Sequence, residues 1–251
     1  MKQRLKRACV VGARLALGVL ALAVVAFVWL WLTTDVSRER FARPEDALTI
    51  TDRRGIALRH HRPDGNDRRW IELDQVSPHL IDAVLAVEDD RFYDHTGVDA
   101  IATGRALFTL ALPGRRLSGG STITQQVVKL VYGRPMGIWS KPREIVRALM
   151  LERRFGKDWI LEQYLNRLPF GDQIVGVARA SELYFGKPAS ELTRGEAALI
   201  AGIPQAPSAL NPRRHLRAAL RRRSVVLRRM RETGRIDDDQ RSQALAEAVA
   251  I

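Results

Sequence analysis

Residues 86 to 97, AVEDDRFYDHTG, set Glu88, Asp89, Asp90, Asp94 and His95 directly behind an apolar run from Leu80 to Val87. On a helix, Leu80, Val84 and Glu88 stand four residues apart on one face, with Ile81 and Leu85 beside them, so Glu88 prolongs a core-facing stripe. A carboxylate in such a place is partly desolvated, which raises its pKa and makes it a candidate for proton transfer near neutral pH. A plainer reading of Glu88 stays open: a helix-end glutamate turned to solvent or paired with Arg91.

A second segment, LSGGSTITQQVVKL (residues 117 to 130), joins a Gly-Gly pair to a capping box of Thr122 and Gln125. Free amides at a helix N-terminus attract anions. Thr122, Gln125 or Gln126, and Lys129 fall on neighbouring turns of one side, which outlines a phosphate cradle without the residue order of a P-loop. An ordinary capped surface helix would carry the same residues. In the third segment, residues 140 to 166, Lys141 and Glu144 share a helix face above Ala148 and Leu151. That pair is either a second aimed carboxylate or a surface ion pair.

These side chains need helices to hold them. Ser77 with Pro78 marks one helix start. Further helices are predicted over Val98 to Leu112, Thr122 to Tyr132, Lys141 to Phe155, Asp158 to Asn166, Ile174 to Phe185, Thr193 to Ile203, Arg214 to Arg231 and Asp237 to Ala250. Gly156 and Gly186 stand where C-terminal caps belong. Upstream, LTITDRRGIALRHH alternates around Arg54-Gly55 as a small hairpin, and RRWIEL reads as an added strand. The expected organisation is a basic tail and anchor over 1–34, a linker with the hairpin over 35–75, and one mainly α domain over 76–251.

Leu15 to Leu32 hold 18 residues without a charge, about 27 Å of helix, close to the hydrocarbon thickness of a bilayer. Trp29 and Trp31 sit where a membrane interface would hold them, and Lys2, Arg4, Lys6 and Arg7 precede the run. That asymmetry predicts an uncleaved single-pass anchor, N-terminus in the cytoplasm and the rest outside. Without those four residues and Arg14, 36 basic residues face 28 acidic ones, a net +8. Such a domain suits anionic headgroups or phosphate-bearing substrates. The single cysteine, Cys9, excludes an intramolecular disulfide. Residues 213 to 231 carry nine arginines around Leu216, Leu220, Leu227 and Met230, a line that either packs on the domain or lies on headgroups.

Taken in order, the three segments resemble the glycosyltransferase family 51 domain, the peptidoglycan glycosyltransferases of bifunctional penicillin-binding proteins and monofunctional transglycosylases. Its motif EDxxFxxHxG is matched by Glu88, Asp89, Phe92, His95 and Gly97. GxSTxTQQxxK is matched by Gly119, Ser121, Thr122, Thr124, Gln125, Gln126 and Lys129. RKxxE is matched by Lys141 and Glu144, with Ser140 in place of its arginine. The resemblance runs over roughly residues 76 to 230, and LNRLPFG with the DRRGIALR hairpin looks most like the 1C type of penicillin-binding protein. No Ser-x-x-Lys occurs, so a transpeptidase half is expected to be missing and the chain to be a monofunctional enzyme or a fragment.

The resemblance implies a lysozyme-like, two-lobed fold and polymerisation of lipid II on a lipid-linked glycan, by a single inverting displacement that releases undecaprenyl pyrophosphate. By position, Glu88 would be the general base and Glu144 would lie near the pyrophosphate, assisting its departure or holding a divalent ion such as Mg2+ or Mn2+, with no other cofactor. Lys129, Lys141 and Gln126 would bind phosphate oxygens, and Ser121 and Thr122, with Gln125, would shape the donor site. Asp89, Phe92 and His95 would border that site by ordering the loop around Glu88, and Arg134 would replace the missing motif arginine. The implied partners are the bilayer of the bacterial inner membrane and cell-wall synthesis proteins such as a transpeptidase. Nucleic acid is not expected, because the arginines lack interleaved aromatics. The rival readings are a lysozyme-like hydrolase or lytic enzyme and an inactive anchored scaffold.

Overall fold

A computed structural model describes residues 2–104, 120–133 and 136–251; in the first helix, side chains are described at residue 12 and from residue 14 onward, and that of residue 57 lies outside the description. Arg134, Gly119 and most of the helix predicted over residues 98 to 112 lie outside the described residues; a helical turn begins at Ala100 and is described to Gly104.

Helix α1 (Lys2–Thr33) contains a stretch, Arg14–Thr33, of mean hydropathy 2.6 that is long and apolar enough to cross a membrane. Among the side chains described, those at its C-terminal end meet the rest of the protein. Leu30 is buried, Trp31 lies under the Arg153 guanidinium at 4.9 Å, and Trp29 meets Trp139 edge-on.

The segment expected to be a linker does more than connect. Val36 and Phe41 enter the main core, where Phe41 packs against Tyr132, Phe155 and Trp159. Strands β1 (Leu48–Thr51) and β2 (Ala57–His61) form the expected antiparallel hairpin, turned at Gly55 with φ +79° and held by Asp52, whose carboxylate accepts from the Arg54 and Ile56 amides. In RRWIEL only Arg68 is in a strand, β3 (Asp67–Arg68). The Trp70 and Ile71 amides are taken by the side chains of Asp46 and Asn166, which leaves no ladder to extend.

Helix α2 (Pro78–Glu88) starts after Ser77 as predicted, but the serine hydroxyl donates to the Leu192 carbonyl instead of capping. Next come α3 (Ile123–Tyr132), α4 (Ser140–Arg154) and α5 (Lys157–Arg167). Gly156 is not a C-terminal cap; Phe155 ends α4 and Gly156, extended at φ −71° and ψ 162°, opens α5. Strands β4 (Pro169–Gly171) and β5 (Ile174–Val175) make a second hairpin, and β5 pairs in parallel with β3. The start of the helix predicted from Ile174 is therefore strand. Then follow α6 (Val177–Phe185), closed at Gly186 with φ 66°, α7 (Arg194–Gly202), α8 (Pro212–Glu232) and α9 (Asp238–Ala246).

The helices pack in two groups that share one core: α2, α7, α8 and α9 on one side, and α3, α4 and α5, with α1 leaning on α4, on the other. The architecture is mainly α and two-lobed, as expected. Helix α2 is buried on almost every face, Leu80, Ala83, Val84, Leu85 and Ala86 all lying in the core between α7 and α8. Burying such a helix delivers its last residue, Glu88, to the seam between the two groups.

Candidate active site

Glu88 ends α2 half-buried, and its Oε2 accepts a hydrogen bond from Gln126 Nε2 at 2.8 Å. Behind Gln126, Tyr164 OH donates to Oε1 at 3.1 Å. Burial, reinforced by the charges of Glu88 and Asp89, pushes the Tyr164 phenol well above its usual pKa, so it stays an O–H donor. That fixes the sense of the chain: the phenol takes the amide oxygen, and the amide nitrogen is left to face Glu88.

The next residue organises the loop. Asp89 Oδ2 accepts the Ile123 amide at 2.9 Å, and both carboxylate oxygens meet His95 Nε2, at 3.1 and 3.0 Å. The Gly97 amide donates to His95 Nδ1 at 3.2 Å, so Nε2 carries the proton and donates to Asp89. Thr122 closes the circuit, its hydroxyl donating to the Gly97 carbonyl at 2.7 Å while accepting the Gln125 amide. Gly97 is required here: at φ +95° its backbone presses on α4, where a Cβ would lie 2.7 Å from the Ala148 carbonyl oxygen.

Glu88 opens into a polar cleft of about 580 Å³ whose walls include Asp99, Ser121, Thr122 and Gln126, with Arg228 and Arg229 from α8. Arg222, also on α8, is half-buried over Gly202, where a Cβ would meet its Cγ at 2.7 Å. Burial lowers the Arg222 pKa, opposed by the charge of Glu88. Arg91 pairs with Asp99, so the plain reading in which it neutralises Glu88 does not hold.

A second cavity, about 320 Å³, lies along α3 and α4 and is lined by Lys129, Tyr132, Ser140, Glu144 and Arg147 among others. Glu144 is only 14% exposed and binds Lys141 Nζ at 2.6 Å. The same ammonium reaches Ser121 Oγ at 3.4 Å, which ties this cavity to the rim of the Glu88 cleft. Arg147, one turn beyond Glu144, stacks on Tyr132 at 4.0 Å. Its pKa is lowered by burial. One carboxylate among two lysines and an arginine is a donor set for an anion. It does not fit a divalent cation, and among the described residues no group of three carboxylate, His or Cys side chains could hold one.

The predicted residues thus divide. Glu88, Ser121, Thr122 and Gln126 share the cleft, with Asp89 buried at its wall; Lys129 and Glu144 share the cavity, and Lys141 bridges the two. Gln125 is buried, its Oε1 accepting the Thr122 amide, so it shapes the helix start instead of meeting a substrate. Phe92 is fully buried beneath Lys157, and His95 is spent on Asp89; both order the loop. The anticipated cradle of free amides is partly filled, since the Ile123 and Gln125 amides go to Asp89 and Thr122. Sequence reasoning missed Tyr164, Arg147 and Arg222. Arg147 had a usable signal, its position three residues after Glu144 on one helix face.

Two helical groups thus meet over an oriented carboxylate, with a cation-lined cavity alongside. A profile of the family described as Transglycosylase matches residues 55–231, and the chain belongs to that family. The match starts upstream of residue 76, consistent with the core role of the preceding segment.

Penicillin-binding protein 1A of Escherichia coli (strain K12) is 38% identical over 222 residues, 84% of this chain and 26% of that protein. Penicillin-binding protein 1A of Haemophilus influenzae is 44% identical over 187 residues, 74% of this chain and 22% of that protein. A crystal structure of penicillin-binding protein 1A from Haemophilus influenzae superposes with a TM-score of 0.51 at 27% identity, covering 83% of this chain and 21% of that one. The chain therefore spans about a quarter of the length of these relatives. They are of the 1A kind and lend no support to the 1C likeness.

Proposed function

We propose that the chain is a peptidoglycan glycosyltransferase that polymerises lipid II. Glu88 takes the proton from the 4-hydroxyl of the acceptor's GlcNAc. The freed oxygen pair attacks the anomeric carbon of the donor's MurNAc, and the bond to undecaprenyl pyrophosphate breaks with inversion. Lys129, Lys141 and Arg147 receive the charge that develops on the departing diphosphate, Lys141 being held for this by Glu144. Gln126 orients the base, and Ser121 lies between the two halves of the reaction.

The observation that supports this best is the bridge from Ser121 through Lys141 to Glu144, because it couples the acid's cleft to the cationic cavity. A lytic enzyme cleaving an uncharged glycosidic bond has no use for such a cavity, whereas a diphosphate leaving group does. The apolar stretch of α1 fits work on a substrate that never leaves the bilayer. We place the domain at the outer face of the bacterial inner membrane, following the basic residues before the span.

The test is incubation of the detergent-solubilised chain with labelled lipid II. Glycan ladders from wild type and none from Glu88→Gln are expected, with Glu144→Gln strongly slowed. Ladders of equal length and rate from Glu88→Gln would remove Glu88 as the base, and cleavage of purified glycan without any polymer from lipid II would favour the lytic reading.

A further inference from the structure

Beyond the irregular residue His215 (φ −135°, ψ 52°), α8 is regular, and Arg217, Arg221, Ser224 and Arg228 recur along it. Spacings of four, three and four residues keep all four within about 40° of one line, over about 16 Å. All four are exposed. Among the described residues, the Arg217 and Arg221 side chains take part in no hydrogen bond or ion pair. Of the other arginines of this helix, Arg214 lies 2.9 Å from Asp172 and Arg229 2.8 Å from Glu232. The row ends at the cleft, where Arg228 forms part of the wall and its carboxylate neighbour, Glu232, is 3.7 Å away and shared with Arg229.

Uncompensated like charges at helical spacing repel and add nothing to the fold. They do suit a ligand that carries carboxylates at intervals, which guanidinium groups bind in two-point fashion. We propose that this row is a docking track for the stem-peptide carboxylates of the glycan strand beside the cleft. The proposal rests on the glycosyltransferase reading above, since it takes that reaction's polymer as its ligand. Anionic headgroups are the competing ligand. They are disfavoured because α8 packs on α2, α7 and α9, whereas the apolar helix α1 leans on α4 in the other group.

The full chain in nanodiscs of neutral lipid is titrated with preformed, uncross-linked glycan strands bearing intact stem peptides, and with the same strands stripped of peptide by an amidase. Arg217→Gln/Arg221→Gln is expected to bind peptide-bearing strands about tenfold more weakly than wild type, the worth of two surface ion pairs. Stripped strands should bind both proteins alike, and Arg217→Lys/Arg221→Lys should recover only part of the loss, since an ammonium keeps the charge without the two-point contact. An unchanged melting temperature separates lost binding from lost fold. Equal binding of peptide-bearing strands by wild type and the glutamine variant overturns the track. A defect seen only in nanodiscs of anionic lipid assigns the row to headgroups and overturns it too. Strand binding needs no turnover, so a wild-type chain that makes no polymer refutes the glycosyltransferase reading separately.

Discussion

Gln126 Nε2 donates to Glu88 Oε2 at 2.8 Å because Tyr164, from a different helix, holds the other end of the same amide. The orientation of the acid is thus set by a phenol that never touches it. Tyr164→Phe frees the amide to turn. Losing one buried hydrogen bond of about 1 kcal/mol should lower kcat about fivefold to tenfold and leave KM nearly unchanged. Steady-state polymerisation of lipid II measures both, and an unaltered kcat would mean that Glu88 needs no such support.

Gly97→Ala tests the close approach of the loop to α4. The new methyl would stand 2.7 Å from the Ala148 carbonyl oxygen on a backbone at φ +95°, so stability should drop by about 2–4 kcal/mol. Thermal melting in detergent reads this directly. A melting temperature within error of wild type would refute the tight fit.

Asp89 and His95 act as a unit on the Ile123 amide. Asp89→Asn and His95→Ala should each destabilise by about 1–3 kcal/mol, and the double variant by clearly less than their sum. Strict additivity in denaturant unfolding would show that the imidazole does not support the carboxylate.

Lys141→Met removes the ammonium that joins Ser121 to Glu144 and leaves a mostly buried carboxylate without that partner. Polymerisation should slow by about 10²-fold, as for loss of one charge-stabilising group, while Arg147→Met should slow it by a smaller factor. The comparison of kcat with KM on lipid II separates lost transition-state stabilisation from lost binding. If both variants keep the wild-type kcat, the cavity does not serve the leaving group.

His79 supplies a pH signature away from the site. Burial, joined by the charge of Arg194 and opposed by Asp82 and Glu247, lowers its pKa below 6.5. The unfolded chain then binds the proton more readily than the folded one, so stability falls as pH drops through 6.5. His79→Gln should flatten that part of the melting-temperature profile; an identical slope in the variant would assign it to other groups.

The residues that line the cleft and the cavity were readable from sequence because each sits in a short segment whose helix phase is fixed nearby. Ser77 and Pro78 set the phase that ends in Glu88, and the Thr122–Gln125 box sets the phase of α3. What sequence could not resolve was which of two adjacent glutamines faces the cleft, since that depends on how α3 is rotated against α5. Tyr164 reads as one more core residue of its helix, and only the packing of α5 on α3 gives it a polar task. Arg222 was one of nine arginines in a row, and its selection needed Gly202 from α7. The parallel pairing of β3 with β5 joins residues 67 and 174, and strands of two residues leave no periodicity to read.

The seat of α1 on α4 has a mechanical consequence. Leu30, Trp31, Val36 and Phe41 tie the helix end to the body within a dozen residues. Where that helix crosses a bilayer, a tilt imposed by hydrophobic mismatch meets α4 and the Phe41 cluster first, so the anchor has a packed contact with the domain instead of a loose tether.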